Sequence, residues 1–405
     1  MKKIVVLCLW ISLLLNVNCL GVDSDTTSVN AVVTSNNNFA FDLYGKLKDD
    51  SKGNLFFSPY SISTALAIVY GGAGGNTKKQ MTATLHLTLP NEQLYPAFGA
   101  LQKQLIASEK SPNCQLLVAN ALLLQKGYLF KQDYLDLTAS FNADRNQLAF
   151  VTETEKSRQT INGWIEKQTE NHIRDMIPPN GITEETRLVI TNAVYFIGEW
   201  KNKFDIAETK DTDFYISEQT TVVARMMHIA ESFRYYEDKT LQAVELPYKD
   251  KQLSIVVILP VQKEGIKEIE KTLTAKSLSD LISKMTEKDV DVYLPRFKIA
   301  GRTISLNKTL SFLGMSDAFE PGKADFSGIN GDKSLFISDV FHKSFVEVNE
   351  EGTEATTSAA VILSQTAYPT LFVFHADHPF LFMIRDNRSG SILFMGRLMN
   401  PAAGE

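Results

Sequence analysis

The spacing of apolar residues changes along the chain, and each spacing predicts a different kind of element. Ser58 and Pro59 resemble a helix start, and a stripe of apolar residues follows at i, i+3, i+4 and i+7: Ile62, Ala65, Leu66 and Val69. This pattern predicts a helix that stops at residues 71–72, which are both glycine. A second helix is predicted around residues 161–165, whereas the polar residues 22–38 are expected to fray.

Other stretches have the shorter repeats that are typical of β-strands. Residues 188–196 and 254–260 are almost wholly apolar or β-branched, as in strands that are buried on both faces. Residues 290–294 alternate between apolar and polar side chains. Further apolar runs close the chain, with a hairpin turn predicted at residues 386–390: residues 371–374, 380–384 and 392–395. The interleaved patterns predict an α+β protein with large sheets.

The N-terminus has the pattern of a secretory signal peptide. Two lysines precede an apolar run over residues 4–15, and small residues favour cleavage after Cys19. We therefore expect residues 1–19 to be removed and the protein to be secreted. A membrane anchor is the alternative, but a run of about twelve apolar residues is short for a bilayer. A bacterial lipoprotein acylated at Cys19 is disfavoured by the Asn-Val-Asn that precedes it.

Composition excludes several classes of protein. Of 405 residues, 44% are hydrophobic and 22% are charged, which is typical of a packed globular protein. The net charge is −6, and removal of two lysines with the signal peptide makes it −8. This balance favours neither nucleic acid nor an anionic membrane as a partner. Of the three cysteines, only Cys114 stays in the mature chain, so neither a disulfide framework nor a structural zinc site is expected.

Motifs for catalysis, cofactors or metals are missing from the sequence. There is no HExxH and no GxSxG, and the glycine-rich residues 71–75 lack the spacing and the lysine of a phosphate-binding loop. We interpret those glycines as a helix stop, and we expect no cofactor and no metal. A Ser/His/Asp triad scattered along the chain stays open as an alternative, because triads are recognised by geometry.

Residues 350–370 are mostly small and mildly β-forming, with a single glycine at residue 352. Sorting them by a period of two gives one face without charges or rings: Thr353, Ala355, Thr357, Ala359, Val361 and Leu363. The opposite face begins with Glu354 and carries the only charge. The first face could be buried as a strand at modest desolvation cost. A surface loop and an ordinary strand are the simpler alternatives.

Dispersed motifs then point to a known family. The chain resembles the serpins from about residue 36 to residue 400, and the matching segments follow one another in the family's order: residues 54–63 with 72–77, 191–200 with Phe204, 245–248, 313–315, 341–355, 377–380 and 393–397. The resemblance implies one serpin domain over residues 20–405, with three β-sheets, eight or nine helices and an exposed reactive-centre loop at about residues 350–370.

The resemblance also implies a mechanism. A target serine protease cuts the loop and forms a covalent acyl-enzyme, and the cut loop then inserts into the main sheet and distorts the protease. A charge or a proline on the inward face would slow insertion. The residues implied as the hinge are small, apart from their glutamates: Glu350, Gly352, Thr353, Glu354, Ala355, Thr356, Thr357, Ser358, Ala359 and Ala360. We therefore expect an inhibitor, with a non-inhibitory carrier or chaperone serpin and a secreted hydrolase as alternatives.

Further residues take their expected roles from the family. Those under the opening sheet, termed the shutter, are Ser61, Ser63, Asn192 and His342. Trp200 matches the aromatic residue at the top of the sheet, where insertion begins. The simpler interpretation of His342 is a buried histidine that satisfies its hydrogen bonds, and here that agrees with the family role.

The bond that the protease cuts is predicted from the usual distance to the hinge glycine. Counting from Gly352 places it between Thr366 and Ala367, with Tyr368 or Leu363 as other candidates. There is no lysine or arginine from residue 344 to residue 384, so elastase-like or chymotrypsin-like targets are expected and trypsin-like targets are not.

Three further expectations concern heparin binding, glycosylation and oligomeric state. Lys78 and Lys79 form the only adjacent basic pair near the helix that would bind heparin, so no strong heparin site is expected. Asn307 and Asn387 are acceptors for glycosylation in a eukaryotic source, although Asn387 lies in the predicted hairpin turn. We expect a monomer.

Overall fold

The computed structural model describes residues 20–109, 114–141, 144–300, 302–353 and 371–404. These residues contain ten α-helices: α1 (Leu20–Asp50), α2 (Pro59–Tyr70), α3 (Gly75–Thr84), α4 (Asn91–Glu109), α5 (Gln132–Leu137), α6 (Thr154–Gln168), α7 (Ile266–Thr272), α8 (Ala275–Lys284), α9 (Asn307–Phe312) and α10 (Ser327–Asn330). The count exceeds the eight or nine expected because α10 is a separate single turn.

Sixteen strands lie among the described residues: β1 (Leu55–Phe57), β2 (Cys114–Gln125), β3 (Asp144–Leu148), β4 (Leu188–Glu199), β5 (Lys210–Ser217), β6 (Thr220–Glu237), β7 (Leu241–Pro247), β8 (Leu253–Pro260), β9 (Thr286–Pro295), β10 (Phe297–Ala300), β11 (Ile304–Ser305), β12 (Ile337–Val348), β13 (Gly352–Thr353), β14 (Phe372–His375), β15 (Phe380–Asp386) and β16 (Ile392–Leu398). The strands predicted at the apolar runs are therefore confirmed, and so is the α+β class.

The strands form three sheets, two of which share the long strand β6. The main sheet has the order β10-β12-β13-β4-β2-β3, with β11 also paired to β12. The second sheet runs from β1 through β16, β15, β8 and β7 to the end of β6. The third sheet contains β5, β6, β9 and β14; β5 pairs with the first part of β6, up to Met226, and β9 pairs with β6 from Met226 to Tyr235. The three-sheet architecture implied by the sequence motifs is confirmed.

The main sheet has an opening at one end. Strands β4 and β12 run parallel and pair directly, from Leu188 opposite Ile337 to Tyr195 opposite Phe345. Beyond that point they separate, and the short strand β13 lies between them. On the other side of β4, the strand β2 is antiparallel over eleven residue pairs, from Cys114 to Leu124. The main sheet therefore has a closed lower part, where β4 and β12 pair directly from Leu188 to Tyr195. In its upper part, at Gly198 and Glu199, β13 lies between the two strands.

Helix α2 is more deeply buried than its sequence suggests. The apolar stripe predicts a helix with one buried face, but all twelve residues from Pro59 to Tyr70 are buried. The helix packs against β4 and β2 of the main sheet and against β16 of the second sheet, so it has no solvent face. Its predicted start is confirmed by Ser58, whose Oγ accepts the Ser61 N–H at 3.3 Å.

The expectation of a frayed N-terminal segment at residues 22–38 is wrong. These residues belong to the 31-residue helix α1, which packs against α2, α4 and β16. Val32 and Val33 are buried in the core, and so are the polar residues Ser35 and Asn36. Tertiary packing of a few apolar positions thus orders a segment whose composition is polar. No helix among the described residues is long and apolar enough to cross a membrane.

Candidate hinge and sheet-opening site

The segment that leaves β12 makes a tight turn before it enters the sheet again. Asn349 and Gly352 exchange backbone hydrogen bonds, at 2.9 Å from the Asn349 N–H and 3.3 Å from the Gly352 N–H. The side-chain Oδ1 of Asn349 also accepts the N–H groups of Glu351 and Gly352. The turn is therefore fixed by one asparagine, which tolerates such geometry well.

Gly352 comes very close to the edge of β4. A Cβ atom at this position would lie 1.9 Å from the carbonyl oxygen of Gly198 and 2.8 Å from the Cα of Glu199. No side chain fits at that separation, so the hinge can enter the sheet here only with glycine. Close approach to β4 is therefore a physical reason for glycine at this hinge position.

Thr353 is the last described residue of the hinge and occupies a position inside the sheet. It pairs with Val348 of β12 on one side and with Gly198 of β4 on the other. Its side chain is fully buried, and its hydroxyl lies 2.8 Å from the hydroxyl of Tyr248. A threonine with a satisfied hydroxyl suits this position, because burying an unpaired polar group is costly.

Aromatic side chains pack against the hinge turn. The Trp200 ring is stacked on the Tyr248 ring, with centroids 4.8 Å apart and planes within 8° of parallel. Its Nε1–H donates to the carbonyl of Asn349 at 2.9 Å, and its backbone N–H donates to the carbonyl of Glu351 at 3.0 Å. Trp200 therefore lies against the hinge turn itself.

The two glutamates of the turn are both held by side chains outside it. Glu350 is almost fully buried, accepts a hydrogen bond from Thr209 at 2.8 Å and lies 3.5 Å from Arg296. Glu351 pairs with Lys203 at 2.5 Å. Lys203 Nζ donates this hydrogen bond to the Glu351 carboxylate, and the bond is the largest cause of the raised pKa of Lys203. Charge pairing thus adds to the backbone bonds that hold the turn.

A second polar cluster lies where β4 and β12 pair directly, around Asn192 and His342. His342 Nδ1 is 2.7 Å from Asn192 Oδ1, and the Ser58 N–H donates to His342 Nε2 at 3.2 Å. Because a backbone N–H can only donate, Nε2 accepts and Nδ1 carries the proton. Burial lowers the pKa of His342 to about 3, so the ring is neutral. Asn192 Nδ2 in turn donates to Ser61 Oγ and to Asn120 Oδ1.

The structure brings together three of the four residues expected under the sheet. Ser61, Asn192 and His342 form one hydrogen-bonded cluster, whereas Ser63 points to another partner and donates to Asn36 of α1 at 2.5 Å. Ser63 lies two positions from Ser61, and on a helix such neighbours do not share a face. Ser58 and Asn120 belong to the cluster but were not found from the sequence.

The comparisons with known proteins bear on the whole chain. A family model described as "Serpin (serine protease inhibitor)" matches residues 34–401. The chain belongs to the serpin family. It is 38% identical to the leukocyte elastase inhibitor of Xenopus tropicalis over 371 residues, which cover 90% of this chain and 97% of the relative. The family assignment made from dispersed motifs is therefore confirmed.

Solved serpin structures share the fold. Serpin48 of the insect Tenebrio molitor, described as a highly specific serpin, has a TM-score of 0.81 and 29% identity, covering 94% of this chain and 99% of that chain. Human thyroxine-binding globulin, solved with its hormone, has a TM-score of 0.82 and 28% identity, covering 92% and 99%. The same fold therefore occurs in a serpin described as highly specific and in a protein named for binding thyroxine.

Much of the predicted serpin loop lies outside the described residues. This applies to the later hinge positions and to every candidate for the cut bond: Glu354, Ala355, Thr356, Thr357, Ser358, Ala359, Ala360, Leu363, Thr366, Ala367 and Tyr368. The predicted signal peptide, residues 1–19, also lies outside them. Their assignments stay predictions, and so do the hinge roles of Glu350, Gly352 and Thr353, which lie among the described residues.

The two predicted glycosylation acceptors both use their side-chain amides inside the serpin fold. Asn307 Nδ2 donates to the carbonyl of Ser338 at 2.8 Å, and Asn387 Nδ2 donates to the carbonyl of Lys251 at 3.0 Å. Asn387 lies in the β15–β16 turn, as the sequence predicted. The use of either site stays a prediction.

Proposed function

We propose that the chain is an inhibitory serpin, which traps a serine protease by inserting its cut loop into the main sheet. The observation that carries this proposal is the position of Thr353, fully buried in a strand position between β4 and β12. The sheet therefore already accepts the first residue of the loop. The rest of the loop would enter by extending the same two hydrogen-bonded ladders.

The length of the loop fits this movement. Thr353 lies opposite Gly198, and ten further residues along β4 reach Leu188. An antiparallel strand that keeps this register would place Leu363 opposite Leu188. The predicted cut after Thr366 lies three residues beyond, so cleavage there frees enough chain to fill the sheet from top to bottom. The direct pairs between β4 and β12 would open to admit it.

The residues that would be buried suit a sheet interior. Thr353 is buried, which supports the face assigned from the sequence, and the same face continues with small or apolar residues: Ala355, Thr357, Ala359, Val361 and Leu363. Burial of these side chains adds apolar contacts, and two new ladders replace one. Insertion would therefore gain apolar contacts and hydrogen bonds without burying a charge on the inward face.

The chemistry is supplied by the target protease. Its serine hydroxyl attacks the carbonyl carbon of Thr366, the bond to the nitrogen of Ala367 breaks, and Ala367 leaves as a new amino terminus. The protease is then held as an ester on Thr366. Insertion of residues 354–366 would carry the attached protease across the sheet before water can cleave the ester. No group of this chain acts as a catalyst in that sequence.

The target class follows from the charge of the loop. The sequence has no lysine or arginine from residue 344 to residue 384, so a pocket with a buried carboxylate would find no partner charge. Thr366 suits an elastase-like pocket, and Tyr368 or Leu363 would suit a chymotrypsin-like one. A relative named leukocyte elastase inhibitor supports the first of these.

A carrier function is the alternative, because thyroxine-binding globulin has the same fold. Fold similarity therefore does not separate the two functions. The separation rests on the hinge, since a carrier has no need for a loop whose inward face is free of charge. We also propose that the protein is secreted after removal of residues 1–19, which N-terminal sequencing of the exported protein would test.

Incubation with a panel of proteases tests the proposed function. Elastase, chymotrypsin, trypsin and subtilisin are each mixed with the protein and run on denaturing gels. We expect a covalent complex that survives boiling with elastase or chymotrypsin, and none with trypsin. Cleavage of the loop by elastase, chymotrypsin and subtilisin without any complex would support the carrier alternative instead.

A further inference from the structure

The hydroxyl groups of Tyr248 and Thr353 form a buried pair at the head of the main sheet. They are 2.8 Å apart, and both residues are fully buried. Thr353 is the first residue of the loop to occupy the sheet, whereas Tyr248 follows β7 and belongs to the body of the protein. The pair therefore connects the moving segment to a fixed one.

The position of the Tyr248 ring is determined on three sides. Trp200 stacks on one face, and the Phe196 ring meets it edge-on with centroids 5.0 Å apart. On a third side a Cβ atom at Gly198 would lie only 2.7 Å from Tyr248 Cδ1, so glycine at that position makes room for the ring. A ring packed in this way presents its hydroxyl at one point of the sheet.

We propose that Tyr248 is a positioning residue for loop insertion, and that its hydroxyl fixes the register in which the loop enters. This inference rests on the proposed inhibitory function. A slip of one residue would turn every loop side chain to the opposite face. Glu354 would then point into the core in place of Thr353, and insertion would stop at a buried carboxylate.

The hydroxyl of Tyr248 favours a hydroxyl side chain over a carboxylate at the buried position that Thr353 occupies. Only serine or threonine can bring a hydroxyl to the buried position, and Glu354 on the next residue cannot be accommodated there. Removing one hydroxyl takes this buried hydrogen bond from the other, whereas removing both leaves an apolar contact of similar shape. The two residues should therefore behave as a coupled pair and not as two independent contributions.

A double-mutant cycle tests the inference: wild type, Tyr248→Phe, Thr353→Val and the double variant. All four carry Trp164→Phe, so that Trp200, stacked on Tyr248, is the tryptophan that reports on insertion in the mature chain. Subtilisin nicks the loop, and the fluorescence change then gives the insertion rate even if no protease is inhibited. Complex formation with elastase is measured in parallel.

Each single variant should insert about fivefold more slowly, and the double variant should be no slower than either single one. Thr353→Ser, which retains a hydroxyl, should insert at the wild-type rate. Tyr235→Phe is the matched control, because that tyrosine is also buried but bonds Glu237 in the second sheet. Its insertion rate should not change.

Several results would overturn the inference. One is an unchanged insertion rate in Tyr248→Phe together with a lower urea midpoint, which would make the pair only structural. Another is a double variant whose slowing is the product of the two single effects. Loop insertion without any covalent complex in the wild type would refute the proposed function alone. Absence of insertion after nicking in the wild type would refute both.

Discussion

Asn192 and His342 face each other as a registered pair of β4 and β12, with Oδ1 and Nδ1 2.7 Å apart. These two strands must separate if the loop is to enter between them. The pair is buried, and His342 is also bound by the Ser58 N–H at the start of α2. The closed part of the sheet is thus held by a neutral histidine that has a partner on each ring nitrogen.

Acid should therefore weaken the fold through His342. The unfolded chain binds a proton there as the pH falls below 6.5, whereas burial keeps the folded pKa near 3. Stability from this group is complete above pH 6.5 and is lost at about 1.4 kcal/mol per pH unit below it. Urea midpoints at pH 7.5, 6.5 and 5.5 measure the slope. His342→Gln should flatten it, and the surface variant His86→Gln should not.

Thr353→Arg should convert the inhibitor into a substrate. The arginine would have to be buried between Val348 and Gly198, beside the Tyr248 hydroxyl, at a cost of several kcal/mol. The loop would be cut and the protease released before insertion is complete. Glu354→Arg places the same side chain on the predicted outward face and should still give complexes on denaturing gels. A boiling-resistant complex in Thr353→Arg would contradict the insertion mechanism.

Gly352→Ala should expel the hinge from the sheet. The added Cβ would overlap the Gly198 carbonyl oxygen at 1.9 Å, which the strand can relieve only by moving away. The base of the loop should then be cut more readily in limited proteolysis, read by mass spectrometry. Gly163→Ala is the control, because nothing lies within 4 Å of its added Cβ in α6 and alanine favours helix. Equal proteolysis of the two variants would count against this geometry.

Thr366→Arg should redirect the protein to trypsin. An arginine at the residue whose carbonyl is attacked would pair with the buried carboxylate of a trypsin-like pocket, so the rate of trypsin inhibition should rise on the order of a hundredfold. Gln365→Arg and Tyr368→Arg are matched controls that move the charge along the loop. A larger gain for either control would show that the cut bond is elsewhere.

Most helices and strands could be predicted from the sequence where apolar residues recur at a regular spacing or form an unbroken run. Strands such as β8, with eight consecutive buried residues, and β9, with its alternation, are specified locally. Helix α1 could not be predicted, because its polar composition hides the few positions that pack against α2 and β16. Its order depends on distant elements that no local window contains.

The candidate site was predictable only in part. Gly352, Thr353 and Trp200 follow from motifs and from the two-residue period of the loop. Tyr248 lies in the family motif at residues 245–248, but its contact with Thr353 joins positions 105 residues apart and depends on the register of β4. Ser63 was placed under the sheet by its motif, yet the rotation of α2 turns it towards Asn36.

The most direct test of the account is the intact mass of the product formed with elastase. Inhibition by insertion predicts a boiling-resistant species whose mass is that of the protease plus the mature chain without the peptide 367–405, and a released peptide that begins at Ala367. Two fragments whose masses sum to that of the mature chain plus one water, found beside fully active elastase, would contradict the central claim.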